Sequence, residues 1–176
     1  REHCQFQSLF PMLHAPKIAA DIHKRKIKLA YISADFKYHS VTYFLEPILR
    51  YHNQMQFELH LIHCHTGKDA KSHQLKQMVP YWHDVAKLSA QQIAELIKTL
   101  QIDILVELGG HTAHNPLEVM ALRPAPIQVT YLGYPATTGL SVIDYRMTDA
   151  WADPETTCNY STETIVHLPG GFLQYL

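Results

Sequence analysis

Apolar positions along the chain follow two alternating periods. Residues 27–33 read Ile-Lys-Leu-Ala-Tyr-Ile-Ser, a short β-type run, and a polar turn over 34–40 follows it. Val41, Phe44, Leu45, Ile48 and Leu49 then recur at helical spacing. Residues 57–63 predict a second strand, 70–79 a helix and 85–88 a short third strand. Ser89 is placed to cap the next helix, with Gln92 completing a capping box and Ile93, Leu96, Ile97 and Leu100 forming its apolar face. A strong strand over 102–108 runs into Gly109-Gly110, a short helix covers 117–122, and the strand over 127–132 stops at Gly133. Residues 143–147 and 164–168 are further strand candidates. Strands alternating with helices predict βαβ crossovers, hence an α/β, Rossmann-like, three-layer domain with a mostly parallel sheet. Residues 1–26, interrupted by Pro11 and Pro16 and closed by Lys24-Arg25-Lys26, read as a linker or lead-in; the domain itself is expected over 27–176.

Composition narrows the classes. Of 176 residues, 47% are hydrophobic and 18% charged, which predicts a packed core rather than disorder. A formal net charge of -1 carries no basic excess for nucleic acid and no polybasic cluster for an anionic membrane. No apolar run is long enough to cross a bilayer and the first residues form no signal-peptide core, so a cytoplasmic location is expected. Cys4, Cys64 and Cys158 are odd in number and widely spaced, which predicts neither a disulfide framework nor a cysteine zinc site. Among 13 histidines, His60, His63 and His65 are the rival signal for a metal. On a strand, His63 and His65 share one face and His60 takes the other, with no carboxylate in register to complete a set, so no metal site is expected.

In an open parallel sheet, ligands bind outside the carboxyl ends of the strands. Three polar loops follow directly after predicted strands, at 34–40, 109–115 and 133–139. A parallel sheet places all three on one rim. That pattern says where a site belongs and not what it does. His39 reads as a proton acceptor oriented by Asp35, or as a surface histidine beside a turn-stabilising aspartate. His111 reads equally as catalytic or as tied to its own loop, Glu107 as facing the cleft or pairing with a basic neighbour, and Gly133 as serving a turn or a ligand.

Five segments carry a family resemblance: Tyr31-Ile32-Ser33-Ala34-Asp35-Phe36-x-x-His39-Ser40; Ile102 to Leu108 with Gly110-His111-Thr112; Ala121-Leu122-Arg123-Pro124-Ala125-Pro126 running on to Leu132-Gly133-Tyr134-Pro135; Asp144-Tyr145-Arg146-x-Thr148-Asp149; and Leu168-Pro169-Gly170-Gly171-Phe172. In this order and spacing the chain resembles the SPINDLY/O-GlcNAc-transferase family of protein glycosyltransferases, nearer to plant SPINDLY and bacterial members than to the animal enzyme. The resemblance implies the N-terminal half of a two-domain GT-B transferase, metal-independent and inverting. It would move a sugar from UDP-GlcNAc or GDP-fucose, as substrate rather than cofactor, to Ser or Thr of a protein or peptide. By the same resemblance His39 and Asp35 are the catalytic candidates, and His111, Thr112, Leu132, Gly133 and Pro135 the substrate-binding ones. An upstream histidine of the family has only His3 and His14 as candidates here. The nucleotide-binding half is not recognisable in these residues, so the chain by itself is expected to be inactive. The alternative is a non-catalytic protein-interaction module on the same fold.

Overall fold

A computed structural model describes residues 2–11, 13–18, 21–154 and 160–175. Seven strands form one sheet, every neighbouring pair parallel: β1 (Ile27–Ser33), β2 (Phe57–His63), β3 (Tyr81–Asp84), β4 (Ile104–Glu107), β5 (Ile127–Thr130), β6 (Tyr145–Thr148) and β7 (Thr164–His167), in the spatial order β3-β2-β1-β4-β5-β6-β7. Among the described residues five α-helices accompany them: α1 (Glu2–Phe6), α2 (Ser40–Tyr51), α3 (Ala70–Met78), α4 (Ala90–Leu100) and α5 (Leu117–Ala121).

Alternation along β1 explains the layers. Leu29 and Tyr31 point to the side where Val41, Leu45 and Leu49 of α2 and Leu75 of α3 pack. Ala30 and Ile32 point to the other side, among Ile93, Ala94 and Ile97 of α4 and Leu117 and Met120 of α5. Both faces of β1 are therefore buried, as a central parallel strand requires. Further along the sheet the first face changes character. Val106, Ile127, Val129, Met147, Val166 and Leu168 line an apolar groove of about 520 Å³, bordered by Ile48 of α2 and by Gln174.

Local signals place the helices. Ser89 accepts from the Gln92 amide at 3.3 Å while Gln92 accepts from the Ser89 amide at 2.9 Å, the reciprocal box expected from the sequence. Asp69 and Ser72 build a second such box at the start of α3, which the sequence reading does not anticipate. The third strand lies at Tyr81–Asp84 and not at 85–88, where the chain turns through the bond from the Leu88 amide to the Val85 carbonyl at 2.9 Å. β3 is an edge strand paired only with β2, so half-exposed aromatic and charged side chains suffice for it, while the apolar Val85 belongs to the core just beyond.

The histidine-rich edge also departs from expectation. His60 meets Glu58 at 3.1 Å, the carboxylate two residues back on the same strand face, and its other nitrogen lies 3.0 Å from His83 of β3. Burial lowers the pKa of both rings. His63 instead packs against Phe36 and Trp82. Among the described residues no three His, Cys, Asp or Glu side chains gather as a metal-ligand set. Cys64 is a free thiol that burial pushes up to about 12; Cys158 and the side chain of Cys4 lie outside the described residues. No described helix is long and apolar enough to cross a membrane.

The candidate active site on the carboxyl rim

Connections from β1 through β3 step outward in one direction, and the chain then crosses back to lay β4 on the other side of β1. The crevice between the carboxyl ends of β1 and β4 is thus the topological switch point of the sheet, where ligands of such folds sit. The loop after β1 carries Asp35 and His39, the loop after β4 carries His111 and Thr112, and the loop after β5 carries Leu132, Gly133 and Pro135. Adjacent strands and a common direction bring all seven to one end of the sheet.

His39 is the N-cap of α2. Its Nδ1 accepts from the Val41 amide at 3.3 Å. Asp35 Oδ2 stands 3.8 Å from the same nitrogen, an ion-pair distance if the ring is charged but too long for a hydrogen bond. Asp35 is fixed from behind: its amide donates to Ser33 Oγ at 2.9 Å and its carbonyl accepts from Thr42 Oγ1 at 2.7 Å. Lys37 Nζ lies 3.9 Å from its other carboxyl oxygen.

The loops after β4 and β5 interlock. Glu107, the last residue of β4, is fully buried and pairs with no basic side chain among the described residues. It accepts from the amides of Gly109 at 2.9 Å and Gly110 at 2.8 Å and from the Thr130 hydroxyl of β5. Burial pushes its carboxyl up against the pull of these donors, and the negative charge of Glu163 adds to the rise. Gly133 packs so closely over Leu108 that a Cβ there would lie 2.0 Å from the Leu108 carbonyl oxygen. Leu132, just before it, holds φ at +68°, a left-handed conformation that costs a non-glycine residue on the order of 1 kcal/mol or more.

His111 donates from Nε2 to the Thr138 carbonyl at 2.7 Å, because a carbonyl can only accept. Thr138 is itself held by Glu163, which takes its amide at 2.8 Å together with its hydroxyl, and which also accepts from Thr137 at 2.7 Å and Ser161 at 2.7 Å. Burial pushes the Glu163 carboxyl upward, but these donors outweigh it and hold it below the usual carboxylate range. Thr112 turns its hydroxyl inward to the Gly109 carbonyl at 2.8 Å. Pro135 is exposed, and its carbonyl lies 3.4 Å from Arg146.

Two side chains of the first segment join this rim. His3 Nε2 lies 2.7 Å from the Tyr134 hydroxyl, and its ring meets that of His111 edge-on at 4.4 Å. Phe6 contacts the same ring at 5.3 Å. His14 is exposed and has no such contact. The sequence reading leaves Tyr134, Thr138 and Glu163 out of the site. Glu163 and Thr138 stand 25 positions apart with no periodic relation between them; the available signal is Glu163 standing immediately before a strand, next to Ser161 and Thr162.

Comparison with known proteins gives a consistent picture. Residues 7–174 match the model of the family described as glycosyl transferase family 41. The chain is 44% identical to the probable UDP-N-acetylglucosamine–peptide N-acetylglucosaminyltransferase SPINDLY of Arabidopsis thaliana over 86% of its own length and 17% of that protein. It is 41% identical to the rice protein of the same description over 97% of its length and 19% of that protein. A solved structure of a lysine-to-methionine mutant of the Thermobaculum terrenum O-GlcNAc transferase superposes with a TM-score of 0.90 at 31% identity, covering 97% of this chain and 34% of that one. The chain therefore spans less than a fifth of the length of these plant relatives.

Proposed function

This chain belongs to glycosyl transferase family 41, and from that premise we propose that it forms the acceptor-side half of a catalytic cleft that moves a sugar from a nucleotide donor to Ser or Thr of a protein. The observation that supports this most is the convergence of three family loops on the β1–β4 switch point, each carrying its polar side chains at the same end of the sheet. The plant relatives are described as acting with UDP-N-acetylglucosamine on peptides, so the donor here is a nucleotide sugar, UDP-GlcNAc or GDP-fucose, and the acceptor a protein or peptide. The transfer is an inverting one that needs no metal.

An alcohol is a poor nucleophile at neutral pH, so the cleft needs a group that handles its proton and charge that steadies the leaving diphosphate. His39 and Asp35 are the catalytic pair of the rim after β1. His111, Thr112, Leu132, Gly133 and Pro135 form the wall against which the sugar and acceptor lie. The diphosphate clamp is assigned to residues beyond this chain, which covers 34% of the solved transferase it resembles.

In a full-length transferase carrying this chain, His39→Ala is expected to lower transfer to a Ser/Thr peptide by about 10²–10⁴-fold with folding intact. Incorporation of sugar from UDP-GlcNAc and from GDP-fucose, followed by mass spectrometry, measures it. Failure of the unmodified protein to use either donor would defeat the reading, and near-normal turnover of His39→Ala would remove that residue from the chemistry.

A further inference from the structure

The two rim histidines are wired in opposite senses. At His39 the nitrogen nearer the backbone is engaged: Nδ1 accepts the Val41 amide proton, so the neutral ring carries its own proton on Nε2 and presents a donor. At His111 the far nitrogen is engaged: Nε2 must carry the proton in order to donate to the Thr138 carbonyl, and the bare lone pair is left on Nδ1. No hydrogen bond among the described residues reaches that Nδ1. A cleft of about 570 Å³, lined by His3, Gln5, Phe6, Ser8, Leu9 and His111, opens beside the ring.

The tautomer of His111 is not left to chance. The carbonyl that fixes it belongs to Thr138, whose amide and hydroxyl are both captured by buried Glu163. Glu163 thus positions His111 through one intervening residue, in the way that an outer carboxylate or carbonyl orients a working imidazole elsewhere. Phe6 and His3 pack edge-on against the ring and restrict its rotation.

We propose that His111, through Nδ1, is the group that takes the proton from the acceptor hydroxyl, and that His39 donates a hydrogen bond from Nε2 to the departing side of the reaction. This rests on the transferase reading above and divides the labour within it. The balance is simple. The Ser or Thr hydroxyl gives its proton to His111 Nδ1, and its oxygen forms the new bond to the anomeric carbon. The bond from that carbon to the diphosphate oxygen breaks, and the electron pair leaves with the nucleotide. Glu163 is a positioning residue and touches none of the reacting atoms.

The test is made in the full-length transferase. His111→Gln keeps an amide N–H able to reach the Thr138 carbonyl but has no imidazole lone pair. It is expected to lose 10²–10⁴-fold in kcat with UDP affinity by calorimetry unchanged, and to lose the acidic limb of the kcat pH profile. The other titratable groups facing this ring are His3 and Tyr134, with Glu163 behind Thr138, and Tyr134→Phe should leave that limb in place. In His111→Ala, added imidazole should restore turnover in proportion to its unprotonated concentration. Wild-type transfer together with an active His111→Gln, or no rescue of a folded His111→Ala, would overturn the assignment while leaving the transferase reading intact. Unfolding of both variants would make His111 part of the scaffold and overturn it equally. Absence of transfer by the wild type would overturn both.

Discussion

Carboxylates are handled differently at the two ends of the sheet. At the amino ends they meet arginine. Asp103, immediately before β4, accepts from Arg25 Nη1 at 2.7 Å and Nη2 at 2.8 Å and also caps the Lys28 amide of β1 at 2.8 Å. Asp144, immediately before β6, repeats the device with Arg123 at 2.8 Å and the Gln128 amide of β5 at 2.8 Å. Behind the rim loops, Glu107 and Glu163 are buried like Asp103 and more deeply than Asp144, but receive only amides and hydroxyls from the described residues. The first arrangement neutralises charge and staples neighbouring strands. The second fixes loop geometry through neutral donors alone.

The largest effect expected from this contrast is at Glu107. Glu107→Ala strands two amides and a hydroxyl in a dry interior. At about 1–3 kcal/mol for each unsatisfied group, the loss should reach roughly 3 kcal/mol or more in urea unfolding. A loss under about 1 kcal/mol would mean that water replaces the carboxylate and that the tether is weak.

Replacing charge while keeping shape separates the two ends. Asp103→Asn leaves Arg25 with only the exposed Asp21 as counter-ion and is expected to cost about 1.5–3 kcal/mol, the range for hydrogen bonds to charged groups. Glu107→Gln keeps a carbonyl for the two glycine amides and should cost less than about 1 kcal/mol. Equal losses in the same denaturation experiment would erase the distinction.

The smallest effect is a pair of opposite pH slopes. Glu107 has a folded pKa above its ordinary 4.5, so the folded chain holds more protons than the unfolded one in the window between those values. Stability therefore falls as pH rises through that window, and Glu107→Gln should remove the fall. Glu163 has a folded pKa below 4.5; the stability it contributes is present above 4.5 and is lost as pH falls through the folded value, so Glu163→Gln should flatten the acid side. Each slope is bounded by about 1.4 kcal/mol per pH unit. Unfolding free energies measured at half-unit pH steps check it, and slopes of the same sign in the two variants would be the contrary result.

Much of the scaffold is legible in the sequence because its signals are local. The β-type runs at 27–33 and 57–63 match β1 and β2 to the residue, and the Ser89–Gln92 box forms as its spacing predicts. β3 is missed because an edge strand needs no apolar alternation. The three rim loops are legible from strand-then-turn order and the parallel topology. What escapes is how they are held. Glu107 meeting Thr130, Glu163 meeting Thr138, and His3 meeting Tyr134 join positions with no shared period, and only the folded sheet brings them together. The likeness to the family points at His39 and His111 alike. The hydrogen bonds on their opposite ring nitrogens, which separate a donor from an acceptor, appear only in three dimensions.

Where Gly133 lies over the Leu108 carbonyl, and Gly110 at φ +52° lies where a Cβ would come within 2.2 Å of the Tyr134 Cβ, two loops are keyed together by missing side chains. Anyone redesigning these two loops inherits a sharp division of sequence space. The exposed Pro135 is open to a mutant library, whereas the two glycines are closed to every other amino acid. New specificity has to come from what is mounted on the interlock, and loop grafts have to carry both halves of it together.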